Sequence, residues 1–290
     1  MSGQQKKTQA LFFSLAVVGA LLGLFMMSSS SSKKQTTVQN AVVPPPAQTR
    51  AVIMPLDDQP MREYTPYFQK FQIDVTTQSY IRTYTYHWYE PTAQDGKVPL
   101  VVVLHGSTGK SYAAEHLITP SLSERHPAYI FVPVIAETNA WADVPQDNDN
   151  LPNELSDGFA LPDMVRIIKN LQQLYPIDPT RIYVTGCSMG GIGSFAAARY
   201  YPDVFAAAIP ISGAWNPVDG ANMTNIPMWV LHGKLDDAVP IESAADTARM
   251  IKSYGGDIHY TAFSNMGHQC PSPRLYNEKI WHWLFSQRKT

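Results

Sequence analysis

The segment that most restricts how this chain can fold is residues 181–191, where a strand-like run ends in a G-x-S-x-G motif. Helix-forming residues follow the motif at 194–199. In a strand–turn–helix setting, the serine of this motif lies on a sharp turn that lifts its hydroxyl above the sheet edge. Gly186 and Gly190 leave room for that turn, because side chains there would collide across it. The pattern predicts that Ser188 is a nucleophile, which requires a base and an oxyanion site.

The sequence after residue 66 predicts an α/β fold with a mostly parallel central sheet flanked by helices. Short apolar runs typical of buried strands alternate with segments of helical periodicity. Two runs with a two-residue period, at 71–75 and 80–89, indicate an N-terminal antiparallel strand pair. The loops that follow parallel strands meet at one edge of such a sheet. Besides the run before Ser188, the predicted strands are 100–104, 129–134, 206–211, 228–231 and 258–261, and the predicted helices include 158–174, 242–252 and 275–285.

A carboxylate and a histidine follow two later strands, in the chain order Ser, Asp, His that this kind of site requires. Asp236 and Asp237 come after the strand at 228–231, and His268 follows the last predicted strand. We interpret His268 as the base for Ser188, and a carboxylate as the group that fixes the imidazole tautomer. The alternative is that the aspartate only caps a turn and that the histidine is an ordinary loop residue. The occurrence of a serine, an aspartate and a histidine in the required order, each at a strand end, disfavours this alternative.

Two backbone N–H groups are expected to form the oxyanion site. One is that of Met189, which follows the nucleophile at the N-terminus of a helix. The glycine-rich loop at 105–109 is expected to supply the second, through Ser107, although such a turn can also be purely structural. His105 and His232 each precede a glycine at a strand end. We interpret them as packing or hydrogen-bonding residues, because neither lies in the last-strand loop.

These motifs together resemble the α/β-hydrolase superfamily. More narrowly, they resemble its branch of polyhydroxybutyrate depolymerases, feruloyl-esterase-like enzymes and predicted peptidases, which is related to dienelactone hydrolases and prolyl-oligopeptidase-type domains. The resemblance extends from about residue 100 to the C-terminus. It is carried by Leu-His-Gly at 104–106, residues 175–183, the motif at 186–191, His-Gly-Lys-Leu-Asp at 232–236 and Gly-His at 267–268.

The resemblance implies a serine hydrolase that acts on esters without a cofactor, through a Ser-His-Asp triad and an acyl-enzyme. In this family the acid usually lies four residues after the histidine of the His-Gly pair, which selects Asp236 over Asp237. A serine peptidase of prolyl-oligopeptidase-like type is the closest alternative. A cell-envelope binding protein on a hydrolase scaffold is an alternative from another functional class, and the intact triad disfavours it.

The two cysteines of the chain lie close to the predicted catalytic residues. Cys187 precedes Ser188, and Cys270 comes shortly after His268. If Ser188 and His268 meet, the sulfurs can be near each other, so a disulfide is one possibility and two free thiols in the core the other. Tannase-like feruloyl esterases have a similar pairing, but there the cysteine directly follows the histidine, whereas Gln269 intervenes here.

Two tryptophans are candidates for the substrate-binding wall. Trp141 lies in a long, mostly non-periodic segment at 137–161, which is expected to form a rim or partial lid. Trp215 follows the strand at 206–211 and is expected at the same edge of the sheet as the nucleophile. Either side chain could contact an acyl or aromatic group, and either could instead fill the core.

The N-terminal residues 1–35 are predicted to be a signal anchor or a signal peptide. The uncharged run at 10–27 spans about 27 Å as a helix, close to the thickness of a bilayer core. Phe25, Met26 and Met27 argue against cleavage at its end, which favours an uncleaved anchor. Residues 36–66, rich in Pro, Thr and Gln, are predicted to be a linker to the catalytic domain, residues 67–290.

The composition excludes several other functional classes. A formal net charge of −2 and the absence of a long basic run after the N-terminus argue against a nucleic-acid partner. The two cysteines cannot form a disulfide scaffold, and no Cys/His cluster has the spacing of a zinc site. We therefore expect no metal. The resemblance implies a small-molecule or polymeric ester as substrate and no cofactor, and the N-terminal segment predicts an extracytoplasmic location.

Overall fold

The computed structural model describes residues 37–39, 67–92, 95–145 and 152–289. The predicted membrane segment, residues 1–35, lies outside them, as does the predicted linker except for three residues. Those three form a short strand, β1 (Thr37–Gln39), at one edge of the sheet. None of the helices in the described part of the chain is long and apolar enough to span a bilayer.

The described residues form one nine-stranded sheet in the order β1-β2-β3-β5-β4-β6-β7-β8-β9. The first three pairs in this order are antiparallel and the remaining five are parallel. The predicted antiparallel pair is confirmed as β2 and β3, and the mostly parallel sheet is confirmed as well. The strands after β1 are β2 (Gln69–Thr76), β3 (Ile81–Tyr89), β4 (Val98–Leu104), β5 (Tyr129–Val134), β6 (Ile177–Cys187), β7 (Ala207–Ile211), β8 (Met228–Gly233) and β9 (Ile258–Phe263).

The central strands are buried on both faces, as their continuous apolar runs predict. Every residue of β4 and of β7 is buried. Helices cover the two faces of the sheet and enclose two large groups of buried side chains. The helices are α1 (Tyr112–Leu117), α2 (Pro120–Ser123), α3 (Leu161–Leu174), α4 (Met189–Tyr200), α5 (Ile241–Ser253) and α6 (Glu278–Ser286), with 3-10 turns at Pro217–Met223 and Pro273–Tyr276.

The long segment before α3 is attached to the core at both of its ends. The Ala160 N–H donates to the Ala140 carbonyl at 3.0 Å, and the Leu161 N–H donates to the Trp141 carbonyl at 3.2 Å. The described parts of this segment, 137–145 and 152–160, contain neither helix nor strand. The two hydrogen bonds therefore join the two ends of this segment to each other.

A buried carboxylate joins α3 to β3. The Asp163 side chain is fully buried in the first turn of α3. Its oxygens accept hydrogen bonds from the hydroxyls of Tyr80 and Tyr84, at 2.8 and 2.7 Å, and from the guanidinium groups of Arg82 and Arg166, at 3.2 and 2.7 Å. Removal of one member of such a network leaves the others buried without a partner, which is costly.

We expect Asp163→Ala to lower the free energy of unfolding by about 3 to 5 kcal/mol, because the buried donors lose their acceptor. The measurement is equilibrium denaturation in urea. Asp246→Ala is the matched control, since Asp246 forms a solvent-exposed ion pair with Arg249. Its cost should be at most about 1 kcal/mol. Equal effects of the two substitutions would contradict the structural role given to Asp163.

Candidate functional site

Ser188 lies on a strained turn between β6 and α4. Its backbone has φ 60° and ψ −120°, in a region that non-glycine residues rarely occupy. A Cβ atom at Gly190 would lie 2.1 Å from the Leu104 carbonyl oxygen, and one at Gly186 would lie 2.5 Å from the same oxygen. Only glycine fits at these two positions, so the neighbouring strand β4 forces the tight turn that exposes the serine.

Asp236 and His268 are in direct contact. The His268 Nδ1 lies 2.8 Å from Asp236 Oδ2 and 3.0 Å from Oδ1. Because a carboxylate only accepts, Nδ1 carries the hydrogen and Nε2 is left free to accept a proton. The Asp236 side chain is fully buried, whereas that of His268 is 21% exposed. Asp237 is exposed, so the aspartate four residues after His232 is the one that reaches the histidine.

The backbone also holds the Asp236 carboxylate. The Val239 and Ala238 N–H groups donate to Oδ1 at 2.8 and 3.1 Å. Burial raises the pKa of Asp236, but the hydrogen bonds from Val239, His268 and Ala238 outweigh this and leave the pKa below its usual value. The carboxylate is therefore ionised at neutral pH and can stabilise a positive charge on His268.

A disulfide connects the serine turn to the histidine loop. Cys187 and Cys270 are bonded, with their Cα atoms 5.8 Å apart. The sequence had left this bond open, and Gln269 is accommodated between the histidine and the cysteine. The Leu235 N–H donates to the Met266 carbonyl at 2.9 Å, which joins the aspartate turn to the histidine loop. The three predicted catalytic residues thus lie on three segments that are joined by a disulfide and by a backbone hydrogen bond.

Ser188 itself is half-buried and its hydroxyl forms no hydrogen bond to His268 among the described residues. The structure therefore shows His268 and Asp236 in contact, and Ser188 on the segment bonded to the histidine loop. Catalytic hydrogen bonds are often long in enzymes without substrate and shorten when the substrate binds.

The two expected oxyanion donors line one cavity. Met189 is the first residue of α4, where the N–H groups have no acceptor within the helix. Gly106, which precedes Ser107, lies against Ser188, since a Cβ atom there would be 3.6 Å from Ser188 Cβ. The cavity has a volume of about 470 Å³. Its lining includes Ser107, Met189, His105, Lys70, Thr85 and Glu137.

The buried His105 fixes the loop that carries Ser107. Its Nε2 accepts the Ile135 N–H at 3.1 Å, so its Nδ1 carries the hydrogen that is donated to the Gly106 carbonyl at 2.7 Å. Trp141 contacts the same histidine, because its indole N–H donates to the His105 carbonyl at 2.8 Å. This agrees with the hydrogen-bonding role expected for His105, and the contact with Trp141 could not be predicted from the spacing of the residues.

Both tryptophans proposed as a substrate wall lie in the core. Trp141 has no exposed surface and Trp215 is 1% exposed. The Trp215 indole donates to a buried carboxylate, Asp219 Oδ2, at 3.0 Å. Burial to this degree favours the core-filling alternative over contact with substrate. Through His105, Trp141 supports the loop that carries Ser107 instead.

We expect the Cys187→Ser/Cys270→Ser variant to lose about 2 to 5 kcal/mol of unfolding free energy, because the bond closes a loop between residues 83 apart. Equilibrium denaturation without reductant measures this loss, and the wild-type chain with reductant is the control. Thiol titration of the denatured, unreduced wild type should find no free thiol, since the chain has two cysteines. Two free thiols, or an unchanged stability, would reject the disulfide.

We expect His105 to make the protein less stable in mild acid. Burial lowers the pKa of His105, against the smaller raising effect of its bond to Gly106. In the unfolded chain a histidine titrates near about pH 6.5. Below that pH the unfolded state takes up a proton that the folded state does not, so stability falls by up to about 1.4 kcal/mol per pH unit.

His105→Gln retains a side-chain acceptor but cannot be protonated, so its unfolding free energy should depend less steeply on pH between about 6.5 and 5. Denaturation curves recorded at several pH values measure both slopes. Identical slopes for the wild type and the variant would show that His105 does not titrate differently on unfolding.

Comparison with known proteins agrees with this geometry. Residues 47–257 match the model of the Esterase family, described as "Putative esterase". The chain is 32% identical over 133 residues to poly(3-hydroxyalkanoate) depolymerase C of Paucimonas lemoignei, covering 42% of this chain and 30% of that protein. It is 28% identical over 151 residues to cutinase est1 of Thermobifida alba, covering 52% of this chain and 48% of that protein. The chain thus spans less than half the length of either relative.

The solved structures show the same fold. A thermostable esterase superposes with a TM-score of 0.67 at 28% identity, over 77% of this chain and 63% of that one. A protein of Klebsiella pneumoniae described as a "putative dienelactone hydrolase" superposes with a TM-score of 0.54 at 16% identity, over 71% of this chain and 92% of that one. The predicted resemblance to α/β-hydrolases of the esterase type is confirmed.

Proposed function

Because this chain belongs to the esterase family, we propose that it is a serine hydrolase that cleaves carboxylic esters through an acyl-enzyme. The observation that carries the proposal is the buried Asp236–His268 pair on a loop that is disulfide-bonded to the strained turn of Ser188. A nucleophile, a base and a group that orients the base are the parts that this reaction needs.

In the proposed mechanism, the Ser188 oxygen attacks the ester carbonyl carbon while His268 Nε2 takes the serine proton. The carbonyl oxygen becomes an oxyanion that the N–H groups of Met189 and Ser107 stabilise. When the intermediate collapses, the C–O bond to the alcohol breaks and the alcohol leaves with the proton from His268. Water then attacks the acyl-enzyme by the same route, which releases the acid and regenerates Ser188. Asp236 stabilises the imidazolium in both halves.

We propose that the substrate is a small or polymeric ester and that the enzyme acts outside the cytoplasm. Two of the relatives named above are a poly(3-hydroxyalkanoate) depolymerase and a cutinase. A disulfide beside the nucleophile is suited to an oxidising compartment, since such bonds are rare in the cytosol. The apolar run within residues 1–35 would tether the enzyme to a membrane, or would direct its export if cleaved.

The test uses a fluorophosphonate probe and a panel of p-nitrophenyl esters, feruloyl esters and peptide amides on the full chain. We expect the probe to label the wild type and not Ser188→Ala. Ester hydrolysis should fall by about 10⁴- to 10⁶-fold in Ser188→Ala and His268→Ala, and by about 10⁴-fold in Asp236→Asn. Asp237→Asn is the matched control and should retain the wild-type rate, because its carboxylate is exposed.

The panel also separates the alternatives. Faster cleavage of peptide amides than of esters would indicate a peptidase instead. A wild-type chain that neither reacts with the probe nor hydrolyses any ester would indicate a binding protein on a hydrolase scaffold. If Asp237→Asn were as impaired as Asp236→Asn, the assignment of the acid would be wrong.

A further inference from the structure

A second histidine contacts the carboxylate of Asp236. His232 lies near the end of β8 and its side chain is fully buried. Its Nε2 is 3.0 Å from the Val239 carbonyl oxygen and 3.3 Å from Asp236 Oδ2. The same carboxylate oxygen is 2.8 Å from His268 Nδ1. Two imidazoles therefore approach one oxygen of the proposed catalytic acid, from β8 on one side and from the histidine loop on the other.

The neighbours of His232 determine where its hydrogen lies. A backbone carbonyl and a carboxylate are both acceptors, so Nε2 must carry the hydrogen. The Nδ1 is buried and has no hydrogen-bond partner among the described residues. Burial lowers the pKa of His232 and outweighs the raising effects of Val239 and Asp236, so the ring is neutral in the folded protein. His232 thus donates a hydrogen bond without adding a positive charge.

We propose that His232 is a positioning residue: its Nε2–H donates to the Val239 carbonyl and closes the acid turn, residues 232–239, and its ring lies against Asp236 Oδ2 and keeps the carboxylate in place. The proposal rests on the proposed hydrolase function. Two backbone N–H groups fix Oδ1, whereas Oδ2 accepts from His268 and lies 3.3 Å from the His232 ring. During the reaction the charge of His268 changes as its Nε2 binds and releases a proton, whereas the His232 ring beside Oδ2 takes no part in the proton transfer and stays the same.

The neutral state of His232 preserves the attraction between Asp236 and the imidazolium of His268. A cation in its place would compensate the charge of Asp236 and would weaken its attraction to the imidazolium of His268. A neutral ring beside Oδ2 keeps the carboxylate in place and leaves its full charge to act on His268. Loss of the donor should therefore lower kcat and leave KM unchanged, since the imidazolium forms only in the transition state.

The test compares His232→Gln with His232→Asn in the full chain. The two amides have the same chemistry but different reach: the glutamine nitrogen can occupy the position of Nε2, and the asparagine nitrogen only that of Nδ1. We expect His232→Gln to retain most of the wild-type kcat for a p-nitrophenyl ester. His232→Asn should lose about 10- to 100-fold in kcat with little change in KM. In the Asp236→Asn background, neither substitution should reduce the rate much further.

Proton NMR provides a second readout that needs no turnover. The proton between His268 Nδ1 and Asp236 should give a downfield signal, which His232→Asn shifts and His232→Gln preserves. Asp163→Ala, whose carboxylate bonds to none of the proposed catalytic residues, is the control for a general loss of stability and should leave both kcat and this signal unchanged. If His232→Asn fails to fold, His232→Ala, which also leaves the Val239 carbonyl without its donor, replaces it in the comparison with His232→Gln and in the Asp236→Asn cycle.

Equal kcat values for the two variants, whether both high or both low, would overturn the proposal, because the position of the amide nitrogen would then have no effect on the rate. A rise in KM alone in His232→Asn would overturn it too. If instead the proposed hydrolase function is wrong, the wild type will hydrolyse no ester and will not react with the fluorophosphonate probe. In that case the NMR signal still decides whether His232 positions Asp236.

Discussion

The close approach of three backbone segments at the ends of β4, β6 and β7 is the constraint on which the rest of the site depends. The Leu104 carbonyl passes so close to Gly186 and Gly190 that a Cβ atom would overlap it, and the Ile211 carbonyl does the same to Gly191. The Ser188 N–H donates to that Ile211 carbonyl at 2.9 Å. Packing of the whole sheet therefore holds Ser188 in its unfavourable conformation, and the serine cannot relax without separating the central strands.

Three fully buried aspartates in this fold show how partners determine whether a carboxylate is structural or available for chemistry. Asp163 is paired with Arg82 and Arg166, and Asp219 with Arg199, so permanent cations compensate both charges. In the part of the chain that the structure describes, the polar groups around the Asp236 carboxylate are backbone N–H groups and imidazoles. Its negative charge is stabilised by hydrogen bonds but is not matched by a fixed cation. Such a carboxylate can respond to a charge that forms on His268 during a reaction.

The sequence predicts the parallel strands and the serine turn well because their signals are local. The runs at 100–104 and 129–134 are too apolar for any position but the centre of a sheet, and strands lie at both. The short helices α1 and α2, with six and four residues, were not predicted, because they are too short to show a helical period. The start of α3 is three residues later than the predicted 158, an error expected at element ends.

The parts of the site that the sequence could not predict are those that depend on contacts between distant residues. Trp141 follows a strand end and could equally face a substrate or the core, and only the fold brings its indole to the His105 carbonyl. The disulfide depends in the same way on the distance between two loops.

Both His-Gly pairs prove to have one physical role. In each, a buried neutral imidazole donates to a carbonyl of its own loop, Gly106 in the oxyanion loop and Val239 in the acid turn. In the proposed mechanism, charge forms between these two loops, and both must keep their shape. Each loop is closed by an imidazole that carries no charge. A lysine or arginine could make the same bonds, but its charge would stabilise the ground state of the carboxylate and reduce the gain in the transition state.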